Sequence, residues 1–221
     1  MPVSSNSYDL DTHFSPLEFA LAEGVRANLS VELILGSESA RRRHLFAAFG
    51  LPFRCQGADI AEDQRPGEPE EDFALRLAFE KAEAVARRNP SAWVLGADTL
   101  VAGMGVILGK PQNPAQAVDM LGLLSGRTHR VLTGVALCGL ESGLRQGWVE
   151  TTKVSFRHLK WAEIEDYLKS GEPLDKAGGY GIQGAAGAFV RGMEGSYTNV
   201  VGLPMESLKR VLGKLLDSAQ V

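Results

Sequence analysis

The chain places cations and acids at intervals that suit chemistry on phosphate. Gly36-Ser37-Glu38-Ser39 leads through Ala40 into Arg41, Arg42 and Arg43, where an apolar run gives way to a helical pattern. Lys81 shares the apolar side of a second helical stretch, Asp98 follows the buried-looking run Trp93-Val-Leu, Lys110 stands before Pro111, and Gln183 lies in a glycine-rich segment. Several positive groups with one or two acids suit a polyphosphate and a divalent metal. The cations offset charge that builds on phosphate oxygens, and the acids hold the metal or orient a water. Gln183, with donor and acceptor atoms in one amide, suits the edge of a nucleobase.

Each of these groups also has a plainer reading. An acid after an apolar run is as often a turn or helix-cap residue. Arginines in a first helical turn oppose the helix dipole; an anion at the helix start relieves that conflict, but an Arg-rich turn is more commonly just solvated. A lysine on an apolar stripe either snorkels outward or meets an acid or a phosphate. Asp59 to Glu71 holds six acids in thirteen residues and reads as an exposed loop, with Glu62 the one expected to face a pocket. His129 and His158 have no partner at metal spacing, which makes each structural or solvated. No phosphate-binding Walker sequence occurs.

The elements that would position these groups are legible from periodicity. Val31–Leu35 reads as a first strand, Ala40–Phe49 as a helix closed by Gly50, and Leu51–Cys55 as a short strand. A helix is expected from an Asp72 N-cap to about Arg88, with Phe73, Leu77, Ala84 and Val85 inward. Trp93–Leu95 reads as a strand bounded by Gly96, with Asp98 at or just past its carboxyl end, where open α/β sheets place ligands. Gly103-Met-Gly105 reads as a hairpin turn into Val106–Leu108, and Asn113-Pro114 as the cap and first residue of a helix to Leu124. Two longer strands (130–137 and 147–156), a helix from Trp161 to Lys169, a strand over 188–194 and a helix from Pro204 through Leu216 complete the pattern. Gly171 to Gly184 is too rich in glycine for a helix.

A chain of 221 residues with 44% hydrophobic and 23% charged content is ordinary for a soluble globular protein. The net charge of −4 argues against a stable nucleic-acid partner. Residues 1–30 read as an N-terminal extension with a modest helix from Pro16 to Ala27, and residues 31–221 as the functional domain. Cys55 and Cys138 lie beside apolar runs without metal spacing, so both are expected as buried free thiols of a reducing compartment. Asp9 and Asp11 replace the basic start of a secretory signal, and no run is long enough to span a membrane. The expected location is the cytoplasm.

From about Leu33 onward the sequence resembles the Maf family of nucleoside triphosphate pyrophosphatases, also known as septum-formation inhibitors. The resemblance rests on Leu35-Gly-Ser37-Glu-Ser-Ala-Arg41-Arg42-Arg43, Lys81-Ala82, Gly96-Ala-Asp98-Thr99, Gly109-Lys110-Pro111 and the run from Leu124 to Gly134. Gly171 to Gly178, Tyr180-Gly-Ile-Gln183-Gly and Val200 to Pro204 continue it. Gly36 and Ala40 depart from the Ala and Pro that the family usually has there.

The resemblance implies a mixed, twisted α/β sheet flanked by helices in two lobes around a central nucleotide cleft, commonly in a homodimer. It implies hydrolysis between the α and β phosphates. Asp98 would activate water, and Ser37, Arg41, Arg42, Lys81 and Lys110 would bind or neutralise the triphosphate. Glu62 would assist the water or join Asp98 at a divalent metal, Mg²⁺ with Mn²⁺ or Co²⁺ as alternatives. Arg41, Thr99 and Gln183 match positions tied to the dTTP/UTP-preferring branch. Two other classes compete: a nucleotide-binding regulator of cell division without turnover, and a nucleic-acid-binding protein built on the arginines.

Overall fold

The computed structural model describes residues 14–21 and 31–218. The sheet is built around β3 (Trp93–Gly103), in which only Thr99 and Gly103 are less than buried. β1 (Leu33–Leu35) runs parallel to it, pairing Leu33 with Trp93 and Leu35 with Leu95, and β2 (Arg54–Cys55) runs parallel to β1. Continuous Val/Ile/Leu runs are what parallel strands covered on both faces require. β4 (Val106–Leu108) returns antiparallel to β3 through Met104 and Gly105, whose φ values of 55° and 77° make the two-residue turn that favours glycine. β5 (Thr128–Gly139), β6 (Leu144–Phe156) and β7 (Val190–Glu194) complete a mixed seven-stranded sheet in the order β2-β1-β3-β5-β6-β7, with β4 on β3.

Helices flank the sheet: α1 (Pro16–Phe19), α2 (Ala40–Ala47), α3 (Glu70–Ala86), α4 (Pro114–Leu124), α5 (Trp161–Lys169), α6 (Tyr197–Val201) and α7 (Met205–Ser218). Asn113 caps α4 by accepting from the Gln116 N–H.

The chain divides into two units. Of the described residues, one takes 15–21, 31–98, 133–150 and 202–218, and the other takes 14, 99–132 and 151–201. In the first unit Ile34, Val94, Ala136 and Cys138 of the sheet pack against Ala78, Ala82, Val85 and Ala86 of α3. The alanines allow a close approach, and two sheet glycines complete it. A Cβ at Gly96 would lie 2.3 Å from the Ala78 carbonyl oxygen, and one at Gly134 would lie 2.1 Å from that of Ala74. In the second unit His129, Phe156, Tyr180, Phe189 and Tyr167 form a chain of edge-to-face ring contacts.

Several expectations are corrected. Gly96 does not end the strand, and Asp98 sits inside β3 with residues on both sides still paired or buried. The glycine is required by α3, not by a turn. α3 begins two residues before Asp72, after Pro69, so Asp72 lies in the first turn. α2 stops at Ala47, with Phe49 beyond it yet buried. The amino-terminal helix ends at Phe19, and the part expected over 22–27 lies outside the described residues. Cys138 is buried, whereas Cys55, on the short edge strand β2, is exposed. Gly171 to Gly184 agrees with expectation: it forms short 3₁₀ turns and no α-helix.

Candidate functional site

The first unit assembles its site where β1 meets α2. After Leu35 the backbone turns: the Gly36 N–H donates to the Leu95 carbonyl at 2.7 Å, and a Cβ at Gly36 would stand 3.2 Å from that same oxygen. Ser39 caps α2, its hydroxyl accepting from the Arg42 N–H at 3.4 Å, and Ser37 Oγ accepts from the Ser39 N–H at 3.2 Å. Arg42 folds back over this turn, donating from Nε to the Gly202 carbonyl at 2.8 Å and from Nη1 toward Ser37 Oγ at 3.5 Å. The arginine that opposes the helix dipole is therefore tied down beside a cluster of donors. Arg41 is part-buried and Arg43 exposed.

α3 delivers Lys81 to Asp98. Lys81 is 8% exposed and Asp98 6%, and Lys81 Nζ donates to Asp98 Oδ1 at 2.5 Å. Glu62, from the loop before α3, reaches the same ammonium at 2.6 Å. Burial raises the Asp98 carboxyl above its usual range, an effect that the charges of Lys81 and Arg42 oppose. Burial likewise lowers the Arg42 guanidinium, with Asp98 and Glu62 holding it up, and it remains a cation. A buried carboxylate of raised basicity beside fixed cations can take a proton from water while the cations receive an anion.

The structure thus gathers Ser37, Arg42, Glu62, Lys81 and Asp98 in one unit, with Arg41 on the same first turn of α2. Thr99, Lys110 and Gln183 belong to the other unit. Thr99 follows Asp98 on β3 and is part-buried, Lys110 is exposed after β4, and Gln183 is part-buried between 3₁₀ turns. Sequence reasoning missed Arg76, whose i,i+4 spacing to Glu80 was visible, and the pair formed by His129 and Tyr180, joined by a 2.7 Å hydrogen bond.

Glu62 and Asp98 present oxygens to a single point, the Lys81 ammonium. Among the described residues no group of three or more His, Cys, Asp or Glu side chains forms a metal cluster. A pair of carboxylates is nonetheless the donor set that Mg²⁺ uses when substrate phosphates and water supply the remaining oxygens. The residues fit a cation brought with a phosphate ligand.

An α/β protein with a buried acid, a lysine against it and an arginine-lined helix start belongs among phosphate-handling proteins. The comparison with known proteins is more specific: residues 32–215 match the model of the Maf-like protein family, and the chain belongs to that family. A dTTP/UTP pyrophosphatase of Myxococcus xanthus is 51% identical over 173 residues, 78% of this chain and 87% of that protein. One from Koribacter versatilis is 44% identical over 188 residues, 85% and 96% of the two chains. One from Moorella thermoacetica is 49% identical over 181 residues, 82% and 93%. Among solved structures, the Staphylococcus aureus Ham1 protein aligns with a TM-score of 0.49 at 13% identity, over 83% of this chain and 98% of that one. Among the described residues no helix is long and apolar enough to cross a membrane.

Proposed function

We propose that this protein is a cytoplasmic nucleoside triphosphate pyrophosphatase acting on dTTP and UTP. The observation that carries the reading is the buried Asp98 clasped by Lys81, itself bridged to Glu62. Its support beyond the site is membership of the family and relatives named dTTP/UTP pyrophosphatase at 44–51% identity. Those names favour turnover over a regulator that only binds nucleotide.

Asp98 Oδ1 accepts from Lys81, and the carboxylate so held takes a proton from water. The water oxygen bonds to the α phosphorus, the α–β bridging bond breaks, and pyrophosphate leaves with the bridging oxygen's electron pair. Lys81, Arg42 and Arg41 neutralise charge on the phosphate oxygens, Ser37 donates to one of them, and Lys110 has the same neutralising role. A divalent cation held by Asp98 and Glu62 would add positive charge to the same oxygens. Gln183 reads the base: one amide can donate to O4 of a pyrimidine and accept from its N3–H. Thr99 and Arg41 assist that preference.

The experiment is pyrophosphate release with Mg²⁺ across dTTP, UTP, CTP, ATP, GTP and 7-methyl-GTP. Release led by dTTP and UTP is expected. A different leading nucleotide would discard the specificity while keeping the chemistry, and no release with Mg²⁺, Mn²⁺ or Co²⁺ would discard both.

A further inference from the structure

Glu62 has no local structure to hold it. Residues 56–69 form neither helix nor strand, and from 61 to 69 every residue except Glu68 is exposed. Apolar burial therefore cannot fix where the Glu62 carboxylate goes. Something else must hold this stretch, because Glu62 meets Lys81 Nζ at 2.6 Å.

The fixing group is on α3. Arg76 Nε donates to Glu68 Oε1 at 2.6 Å and Nη2 donates to Oε2 at 2.7 Å, a two-pronged grip on one carboxylate. Nη1 donates to both oxygens of Glu80 at 3.1 Å, and Nη2 also donates to the Asp63 main-chain carbonyl at 3.0 Å. All three nitrogens of the guanidinium donate here. Glu68 in turn accepts from the Arg65 N–H at 3.0 Å, and its own carbonyl accepts from Gln64 Nε2 at 2.9 Å. The Arg76 and Glu68 side chains are only 15% and 9% exposed, unlike the solvated pairs that contribute little. The same grip holds the Glu68 carboxyl far below the usual range, at about 2.

We propose that Arg76 is a positioning residue for Glu62. It fastens the acidic stretch, through Glu68 and the Asp63 carbonyl, to the helix that carries Lys81. Arg76 and Lys81 are five residues apart on α3, so the anchor and the delivery point belong to one rigid element. The Asp63 carbonyl is the contact that separates this role from stability alone, since it pins the backbone immediately after Glu62. The inference rests on the reading of Glu62 as part of the site.

The test is a double-mutant cycle on kcat for pyrophosphate release with Arg76→Gln and Glu62→Gln, together with hydrogen exchange of the 61–69 amides. Misplacing a catalytic group costs between about ten- and a hundredfold, and a loss in that range is expected for Arg76→Gln. The double variant should be no slower than Glu62→Gln alone, because nothing remains to be positioned. Exchange in the 61–69 stretch should accelerate in Arg76→Gln, and Arg76→Lys, which keeps the charge without the fork, should recover only part of the rate. Losses that multiply, or a normal rate in Arg76→Gln beside a slow Glu62→Gln, would overturn the positioning role and leave Glu62 standing. A normal rate in Glu62→Gln would remove Glu62 from the site and this inference with it. Should Arg76→Gln fail to fold, Glu68→Gln breaks the same grip from the loop side and enters the cycle in its place, with the same outcomes.

Discussion

Lys81 donates to Asp98 across the gap between a helix and a strand, 2.5 Å from Nζ to Oδ1, with both side chains buried. Burial raises the Asp98 carboxyl and Lys81 is the strongest force opposing it. Lys81→Met therefore shifts the balance one way: Asp98 binds its proton more tightly, and the acid limb of the pH–rate profile moves to higher pH. The variant should also lose roughly a hundredfold in kcat at neutral pH, as removal of one well-placed charge stabiliser does. An acid limb that stays in place would separate Asp98 from the ionisation that limits turnover.

The pair exists because α3 lies directly on two glycines of the sheet. Gly96→Ala puts a methyl group 2.3 Å from the Ala78 carbonyl oxygen, a backbone atom that cannot swing aside. The expected cost is about 1–3 kcal/mol, the range for overpacking a tight core. The displaced helix should take Lys81 off Asp98 as well, so activity falls by more than the fraction unfolded. Urea unfolding with wild-type stability would show that α3 can back away freely.

His129 is 2% exposed, bonds only to Tyr180 among the described residues, and is depressed by burial to about 4. The unfolded chain, with its histidine near 6.5, binds the proton first. The contribution of neutral His129 to stability is therefore complete above that value and is lost as pH falls from there toward 4. Near pH 5 the loss is on the order of 2 kcal/mol. Melting temperatures at about pH 7.5 and about pH 5 should differ by less in His129→Gln than in the wild type. An equal difference in the two proteins would assign the acid sensitivity elsewhere.

Gln183→Ala tests base selection separately from chemistry. It should narrow the advantage of dTTP and UTP over CTP by roughly tenfold, the effect of about one hydrogen bond, while slowing the best substrate less. An unchanged ranking in kcat/KM would remove Gln183 from base selection.

The sequence made some of this geometry readable and hid the rest for physical reasons. Apolar runs announced β1 and β3, and helical spacing turned Lys81 inward, because both depend on burial patterns local to an element. The Arg41–Arg43 turn was legible as a conflict with the helix dipole. Its resolution was not, since Arg42 donates to Gly202, 160 residues away. Gly96 reads locally as a strand end, and only the packing of α3 shows that it lets the strand continue to Asp98. Arg76 was invisible as an anchor because the partners it fastens, Glu68 and the Asp63 carbonyl, sit in an acid-rich loop whose composition indicates only solvent. Cys55 and Cys138 look alike in their flanking residues and differ in burial because one is on an edge strand of two residues and the other near the end of β5 in the core.

The measurement closest to the central claim compares wild-type protein with Asp98→Asn, recording pyrophosphate release from dTTP and dTTP binding by calorimetry on the same preparations. The asparagine keeps the shape and can still accept a hydrogen bond from Lys81, but it cannot take a proton from water. Release should fall by about a hundred- to ten-thousandfold, the range for loss of a general base, with binding changed little. Release near the wild-type rate would contradict the assignment of Asp98 as the proton acceptor.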